Sequence, residues 1–322
     1  MRKTKLWGAL AVLTLGLQSC SLDSLADGTE ENYEIKDKNA GTLVVDEELD
    51  WAAYYEIGDN PYDVEAIQFF PDGTCQFIYE DPDYGFNDVK SSESTTGIEV
   101  DVNGSKVRVP LRVAGSPDVG SVNEELMCKS FTRDSKGRFV ITDYGWTVDG
   151  NTLYEQKNGK TETYTAQKAS EEKLSSLSAR LCHTWELENV LVKFYKTGTD
   201  KLVFTYHLNK KELEKDCVKT LRFASSYQFF RHDSKGRIAG HGMWHWTDES
   251  NQKLFYKFQG WEYDEELGGI VYYIGENYLT AYFASNHLYI TEENQRLDTD
   301  DDEAGKLDAR CLYQLKAVDI KR

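Results

Sequence analysis

Two histidines four residues apart, His241 and His245, are the side chains whose spacing best suits site chemistry. They sit in His241-Gly-Met-Trp-His245-Trp246. On a strand, alternate residues share a face, so His241, Met243 and His245 face one way and Trp244 and Trp246 the other. Two imidazoles on one face hold a metal only where a carboxylate or a third histidine joins them. No further local ligand spacing is evident, so the reading is strand histidines on a partly wet face and no metal. The indoles of Trp185, Trp244, Trp246 and Trp261 offer a second chemistry, lining an apolar pocket or stacking on a sugar ring. Together with His241 and His245 they form the expected ligand-binding set. Their competing role is to fill the interior of a small barrel. The acidic stretches Asp59 to Glu65, Glu80 to Asp88 and Asp298 to Glu303 invite calcium. However, Asp298-Thr-Asp300-Asp-Asp302 lacks the glycine and the distal glutamate of a calcium loop. There is no Gly-x-Ser-x-Gly elbow, P-loop, dinucleotide fingerprint or His-Glu-x-x-His motif. The expectation is no catalysis and no cofactor, with a hydrolase as a distant alternative.

The elements that must position these residues read as β. The 322 residues include 20 Tyr, 14 Phe and 7 Trp, types that suit pleated, half-buried surfaces. Asp72-Gly73 divides two alternating runs, Ile67 and Phe69 before it and Cys75, Phe77 and Tyr79 after it. Asn103-Gly104 divides Ile98, Val100 and Val102 from Val107, Val109, Leu111 and Val113. The opposite face of that hairpin carries Glu99, Asp101, Lys106, Arg108 and Arg112. Such dipeptides between alternating runs mark tight hairpins, because the primed turns need positive φ. Pro110 points to an edge or a bulge. Two further hairpins are expected at Asp149-Gly150 and Asn158-Gly159. Leu174, Leu177 and Leu181 recur at helical spacing after Ser170, which predicts a short bridging helix capped there. A second helix is expected from Asn209 to Asp216, with Asn209 as its cap. One segment recurs: Phe131-Thr-Arg-Asp-Ser-Lys-Gly-Arg138 is matched by Phe230-Arg-His-Asp-Ser-Lys-Gly-Arg237. The repeat suggests two duplicated domains.

Net charge is −18. An acidic surface of this size disfavours nucleic acid and polybasic docking to anionic lipid. Five cysteines follow Cys20 with wide spacing and no Cys-x-x-Cys pair, so a zinc ribbon or redox motif is not supported. Most read as small core residues, with one or two disulfides possible in an oxidising compartment.

The first twenty residues carry a resemblance. Arg2, Lys3 and Lys5 form a basic head, an uncharged run follows, and Leu17-Gln18-Ser19-Cys20 ends it. The run is too short to span a bilayer, and the segment reads as an export signal. Its end resembles the lipobox of bacterial lipoproteins, a family that is cut just before the cysteine and carries lipid on the new N-terminal cysteine. The resemblance implies a signal peptide at 1–19 and lipid, palmitate included, on Cys20. Its loss would remove three basic residues and no acid, taking the charge to −21. Ser21 does not resemble the aspartate that retains lipoproteins at the inner membrane, which favours the outer membrane.

A second resemblance lies in Leu181 to Trp185, the Phe-rich hairpin from Phe223 to Arg237, the Gly242 to Trp246 strand and the late hairpin from Tyr278 to Ile290. These look like the lipocalin-like domains of bacterial lipoproteins, which are antiparallel barrels that are either packed or hold one small apolar ligand. The expected chain is all-β: a lipidated tether at 20–41, a first β domain at 42–168, a helical linker at 169–182 and a lipocalin-like domain at 183–322. The expected role is a lipid-anchored binding protein for a small apolar ligand, a glycan or an envelope partner. The alternative is an accessory subunit of an envelope or nutrient-uptake assembly.

Overall fold

A computed structural model describes residues 53–79, 97–115, 127–169, 174–264, 269–297 and 307–318. For the strand residues among 257–277 and 293–296 it describes the backbone alone. The expected signal peptide, tether and Cys20 lie outside the described residues.

The chain is all-β, with two barrel-like antiparallel sheets. The first uses β1 (Tyr54–Ile57), β2 (Val64–Phe69) and β3 (Thr74–Tyr79). A separate two-stranded ribbon follows, β4 (Gly97–Val102) and β5 (Ser105–Pro110). The first sheet resumes with β6 (Lys129–Ser130), β7 (Thr132–Arg133), β8 (Phe139–Ile141), β9 (Trp146–Asp149), β10 (Thr152–Lys157) and β11 (Lys160–Lys168). β1 pairs with β11, and the two ends of the sheet, β6 and β7, are parted in sequence by Phe131 alone. The first barrel is therefore nearly closed, with a corner at Phe131.

The linker helix α1 (Ser176–Leu181) leads to β12 (Thr184–Lys196), β13 (Leu202–His207), helix α2 (Lys210–Asp216) and β14 (Thr220–Phe223). β15 (Gln228–His232), β16 (Ile238–Asp248), β17 (Lys253–Asp264), β18 (Gly269–Ala284), β19 (His287–Leu297) and β20 (Leu307–Ala317) complete the chain. β12 with β14 to β20 closes an eight-stranded barrel, sealed where β12 pairs with β20. β13 is added beside β14 on the other edge of β12.

The turns follow from their residues. Asp72 Oδ1 accepts from the Thr74 amide at 2.9 Å and its hydroxyl at 2.6 Å, and Gly73 sits at φ 82°. Asn103 and Gly104 both take positive φ, as the primed turn requires. Pro110 ends β5 opposite Gly97, at an edge of the ribbon. Asn209 caps α2 in a full capping box with Glu212. The linker helix begins later than expected. Its cap is Ser175, whose hydroxyl accepts from the Ser178 amide, while Ser170 lies outside the described residues.

Each barrel has its own core. In the first, Phe69 stacks on Phe139 at 4.3 Å and Phe77 on Trp146 at 5.1 Å. Tyr55, Phe131 and Leu153 fill the remainder. In the second, Trp185, Phe229, Trp244, Tyr256 and Tyr313 are fully buried. The ribbon β4–β5 lies in sequence between strands of the first barrel, yet its buried face joins the core of the second. The sequence boundary at residue 168 therefore does not divide the packing.

The two barrels meet through outward faces of the second and third strands of each. Arg222 donates to Asp72 at 2.9 Å and Thr74 at 2.6 Å and lies over the Phe70 ring. Ser226 donates to Gln68 at 2.7 Å, His232 meets Gln76 at 3.3 Å, and Phe70 meets Phe230 edge-on. Gln68, Gln76 and His232 are buried there.

Candidate functional site at the barrel mouths

The expected ligand set divides between core and surface. Trp185 and Trp244 are core residues whose indole N–H groups donate to the Leu181 and Ala224 carbonyls. Trp246 is half-buried and donates to the Ser178 hydroxyl, so α1 is pinned across one end of the barrel. Trp261 pairs with Tyr272 in the ladder of β17 and β18, and its side chain lies outside the described residues. His241 bonds Gln228 at 2.8 Å, and burial pushes its pKa down to about 4. His245 is exposed on the outer face, against Phe255 at 4.7 Å. The expected alternation on β16 is present, with Met243 exposed and Trp244 buried. The five of them whose side chains are described do not converge on one cavity.

The five described cysteines are free thiols, four of them buried. Among the described residues no three His, Cys, Asp or Glu side chains form a metal-holding group. The acidic stretches Glu80 to Asp88 and Asp298 to Glu303 lie outside the described residues. In Asp59 to Glu65, the Asn60 side chain bonds the Gly58 and Val64 carbonyls.

Among the described residues, segments outside the second barrel's strands pack on its core. Besides α1 at one end, β4–β5 lays Ile98, Val100, Val102, Val107 and Val109 on the core. Leu111, Val113 and Ala114 follow them inward. A polar lock holds this cap. Arg231, 1% exposed, donates to the carbonyls of Arg112, Gly115 and Ala239. The Tyr256 hydroxyl donates to the same Arg112 carbonyl at 2.8 Å. The Arg112 guanidinium reaches buried Glu292 at 3.8 Å, and Tyr313 donates to Glu292 at 2.9 Å. The Val218 amide donates to the Ala114 carbonyl at 2.7 Å, tying the segment between α2 and β14 to the cap. Carbonyl oxygens accept from the buried Arg231 guanidinium, which would otherwise be costly to desolvate, and the half-exposed Arg112 guanidinium reaches the buried Glu292 carboxylate.

The first barrel differs at its two ends. One is filled: buried Glu155 accepts from the hydroxyls of Tyr62 and Tyr164, and Tyr62 packs on Trp146. The other opens to a cleft of about 320 Å³. Its walls include the barrel-core residues Tyr55, Phe139 and Val148. Its remaining charged lining is Arg133, Lys136, Arg138, Lys168 and Asp149. Clefts at barrel mouths of a few hundred cubic ångströms are favoured ligand sites.

Local chemistry builds this rim. Asp134 Oδ1 accepts from the Lys136 and Arg138 amides at 2.9 and 3.0 Å, and Oδ2 from Arg138 Nε at 2.7 Å. These bonds from Arg138 hold the Asp134 carboxyl down to about 2. Arg133 donates to the Gly137 carbonyl at 3.2 and 3.3 Å and lies 4.9 Å over the Phe139 ring. Among the described residues neither Arg133 nor Lys136 meets a carboxylate.

The recurring sequence segment gives the same turn in both barrels. Asp233 accepts from the Lys235 and Arg237 amides and from Arg237 Nε at 2.8, 2.9 and 2.5 Å. The two turns, however, join non-equivalent strands. Asp134 to Arg138 joins β7 to β8, across the corner strand and its successor. Asp233 to Arg237 joins β15 to β16, the third and fourth barrel strands. The third and fourth strands of the first barrel are instead joined by the excursion carrying β4–β5. The second turn is covered by the first half, with the Cys128 amide donating to the Gly236 carbonyl.

Arg133, Lys136 and Arg138 were missed as site residues although they lie in that repeat; an exposed copy beside a buried one was the available signal. Lys168 carried none, because only the pairing of Tyr55 with Lys168 brings it to the mouth. No protein-family model and no curated protein matches the chain.

Proposed function

We propose that this is a non-catalytic binding protein of the bacterial envelope, held at the outer membrane by lipid on Cys20. The first barrel is the working one and takes a small ligand at its open mouth. The second is a scaffold that carries the first. The observation supporting this reading is the contrast between an open cleft lined by cationic side chains and a second barrel whose described core is packed by its own helix and ribbon. The lipobox resemblance supports the anchor, since no described helix is long and apolar enough to cross a membrane. Several acyl chains anchor a protein stably where one does not.

Two measurements test this. Native mass spectrometry of protein taken from its own membrane should show acylation at Cys20 and a retained small molecule. Cys20→Ser should move the protein from the membrane to the soluble fraction; a membrane-bound variant would end the anchor reading.

β13 favours the accessory-subunit reading as a second possibility. It is the end strand of its sheet, with Leu202 and Val203 more than a third exposed. Edges of this kind add strands from partners. Lys substitutions at Leu202 and Val203 should then abolish co-purification of an envelope protein while leaving ligand retention intact.

A further inference from the structure

We infer that the mouth of the first barrel selects a free organic anion: a compact molecule carrying one carboxylate, sulfonate or similar group. This rests on the proposed reading of that mouth as a ligand site. The lining holds four cationic side chains against one carboxylate, on a chain whose net charge is −18. Long-range charge does not decide the matter, because salt screens it beyond about 8 Å at physiological ionic strength. Within that radius Asp134 and Asp149 offset Arg138, while Arg133 and Lys136 meet no carboxylate among the described residues.

The cations are held in distinct ways. Arg138 is balanced by Asp134 at 2.6 Å and approached by Asp149 at 3.9 Å, so it is a structural member of the rim. Arg133 is positioned without being neutralised: its partners are a backbone carbonyl and the Phe139 face. A guanidinium held over a ring keeps its charge and loses little entropy on meeting an anion. Lys136, fixed through its backbone by Asp134, places a second charge in the same turn. Below them Tyr55, Phe139 and Val148, all buried, close the floor of the cleft. The volume suits a compact molecule and excludes a long acyl chain lying fully inside.

The anion is free and not a lipid headgroup. A chain of net charge −18 is repelled as a whole by an anionic bilayer, while a single small ion meets the local field of Arg133 and Lys136.

The test compares two dyes of one skeleton, 1-anilinonaphthalene-8-sulfonate and uncharged N-phenyl-1-naphthylamine, on the full mature chain. The sulfonate should bind at a single saturable site and tighter than the neutral dye by about tenfold, the scale of one charge-assisted contact. Arg133→Gln and Lys136→Gln, both at exposed positions, should each weaken the sulfonate about fivefold and leave the neutral dye unchanged. Sodium octanoate should compete; vesicles of anionic phospholipid should not. Hydrogen exchange should show protection around 133–139 and 148–150 on binding. Equal affinity for both dyes, untouched by either substitution, would overturn the anion inference and leave the ligand site standing. Competition by vesicles would overturn the free-ligand assignment. If neither dye protects that mouth, the proposed ligand site itself fails.

Discussion

The residues of one motif do two jobs in this molecule, and burial separates them. Asp134 and Asp233 make matching bonds, but Asp134 stands at an open mouth and Asp233 is 7% exposed beneath the other half. Asp233→Ala should cost about 2–3 kcal/mol, because it strands buried amides and a guanidinium. Asp134→Ala should cost measurably less, since water replaces the lost acceptor; urea midpoints of the two variants compare them. Gly240 shows a second dependence on burial. A Cβ there would stand 2.4 Å from Arg231 Nε and 2.5 Å from Nη2. Gly240→Ala should destabilise by about 2 kcal/mol by displacing the guanidinium from its carbonyls, and should cost less in an Arg231→Met background. His241 gives a pH dependence with a defined sign. Its folded pKa, about 4, lies below the ordinary 6.5, so the unfolded chain binds more protons between those values. Its stability contribution is complete above 6.5 and is lost as pH falls toward 4. Buried His232, lowered by burial and Arg222, acts in the same direction. His241→Gln should flatten the urea midpoint across that window relative to the parent.

At the scale of elements, what was legible in the sequence was what short-range chemistry decides. Asp72-Gly73, Asn103-Gly104, Asp149-Gly150 and Asn158-Gly159 all lie at hairpins; both residues take positive φ in the two Asn-Gly pairs, and the glycine alone does so in the two Asp-Gly pairs. The α2 cap is local too. The alternation at 98–113 announced a buried face but not what buries it; that partner lies about a hundred residues and more away, on strands that alternation cannot pair. The repeat disclosed a shared turn and concealed that the turn joins different strands. Trp185 and Trp244, expected at a ligand, became core because a closed barrel of this size fills its interior with large side chains. The ribbon's two faces give a direct check. Val109→Asp puts a charge on the second barrel's core and should cost about 4 kcal/mol or more by urea unfolding. Lys106→Ala, on the solvent face where it pairs with Glu99, should leave the midpoint unchanged.

At the scale of the whole molecule, the barrels are mutually dependent. The first half supplies the cap of the second, and the interface buries Gln68, Gln76 and His232 between them. Full-length mature protein should therefore unfold in one transition, with tryptophan fluorescence and far-ultraviolet circular dichroism coincident. A fragment of residues 169–322 should melt below the intact chain, and a peptide of residues 97–115 added in trans should restore part of the loss. A fragment as stable as the whole would show that the ribbon contributes nothing to the barrel it covers.

The ribbon's position in the chain also sets a timetable. β4 and β5 leave the ribosome before any strand of the barrel they close, and β20, the last strand made, must pair with β12 before that barrel is sealed. A row of valines, Val100, Val102, Val107 and Val109, thus waits uncovered through the synthesis of residues 184–317. Contacts so distant in sequence form slowly, and apolar surface left waiting invites association between unfinished chains. The first half of this protein is complete only when the second half has arrived, which places a demand on whatever holds the nascent chain apart from its neighbours until then.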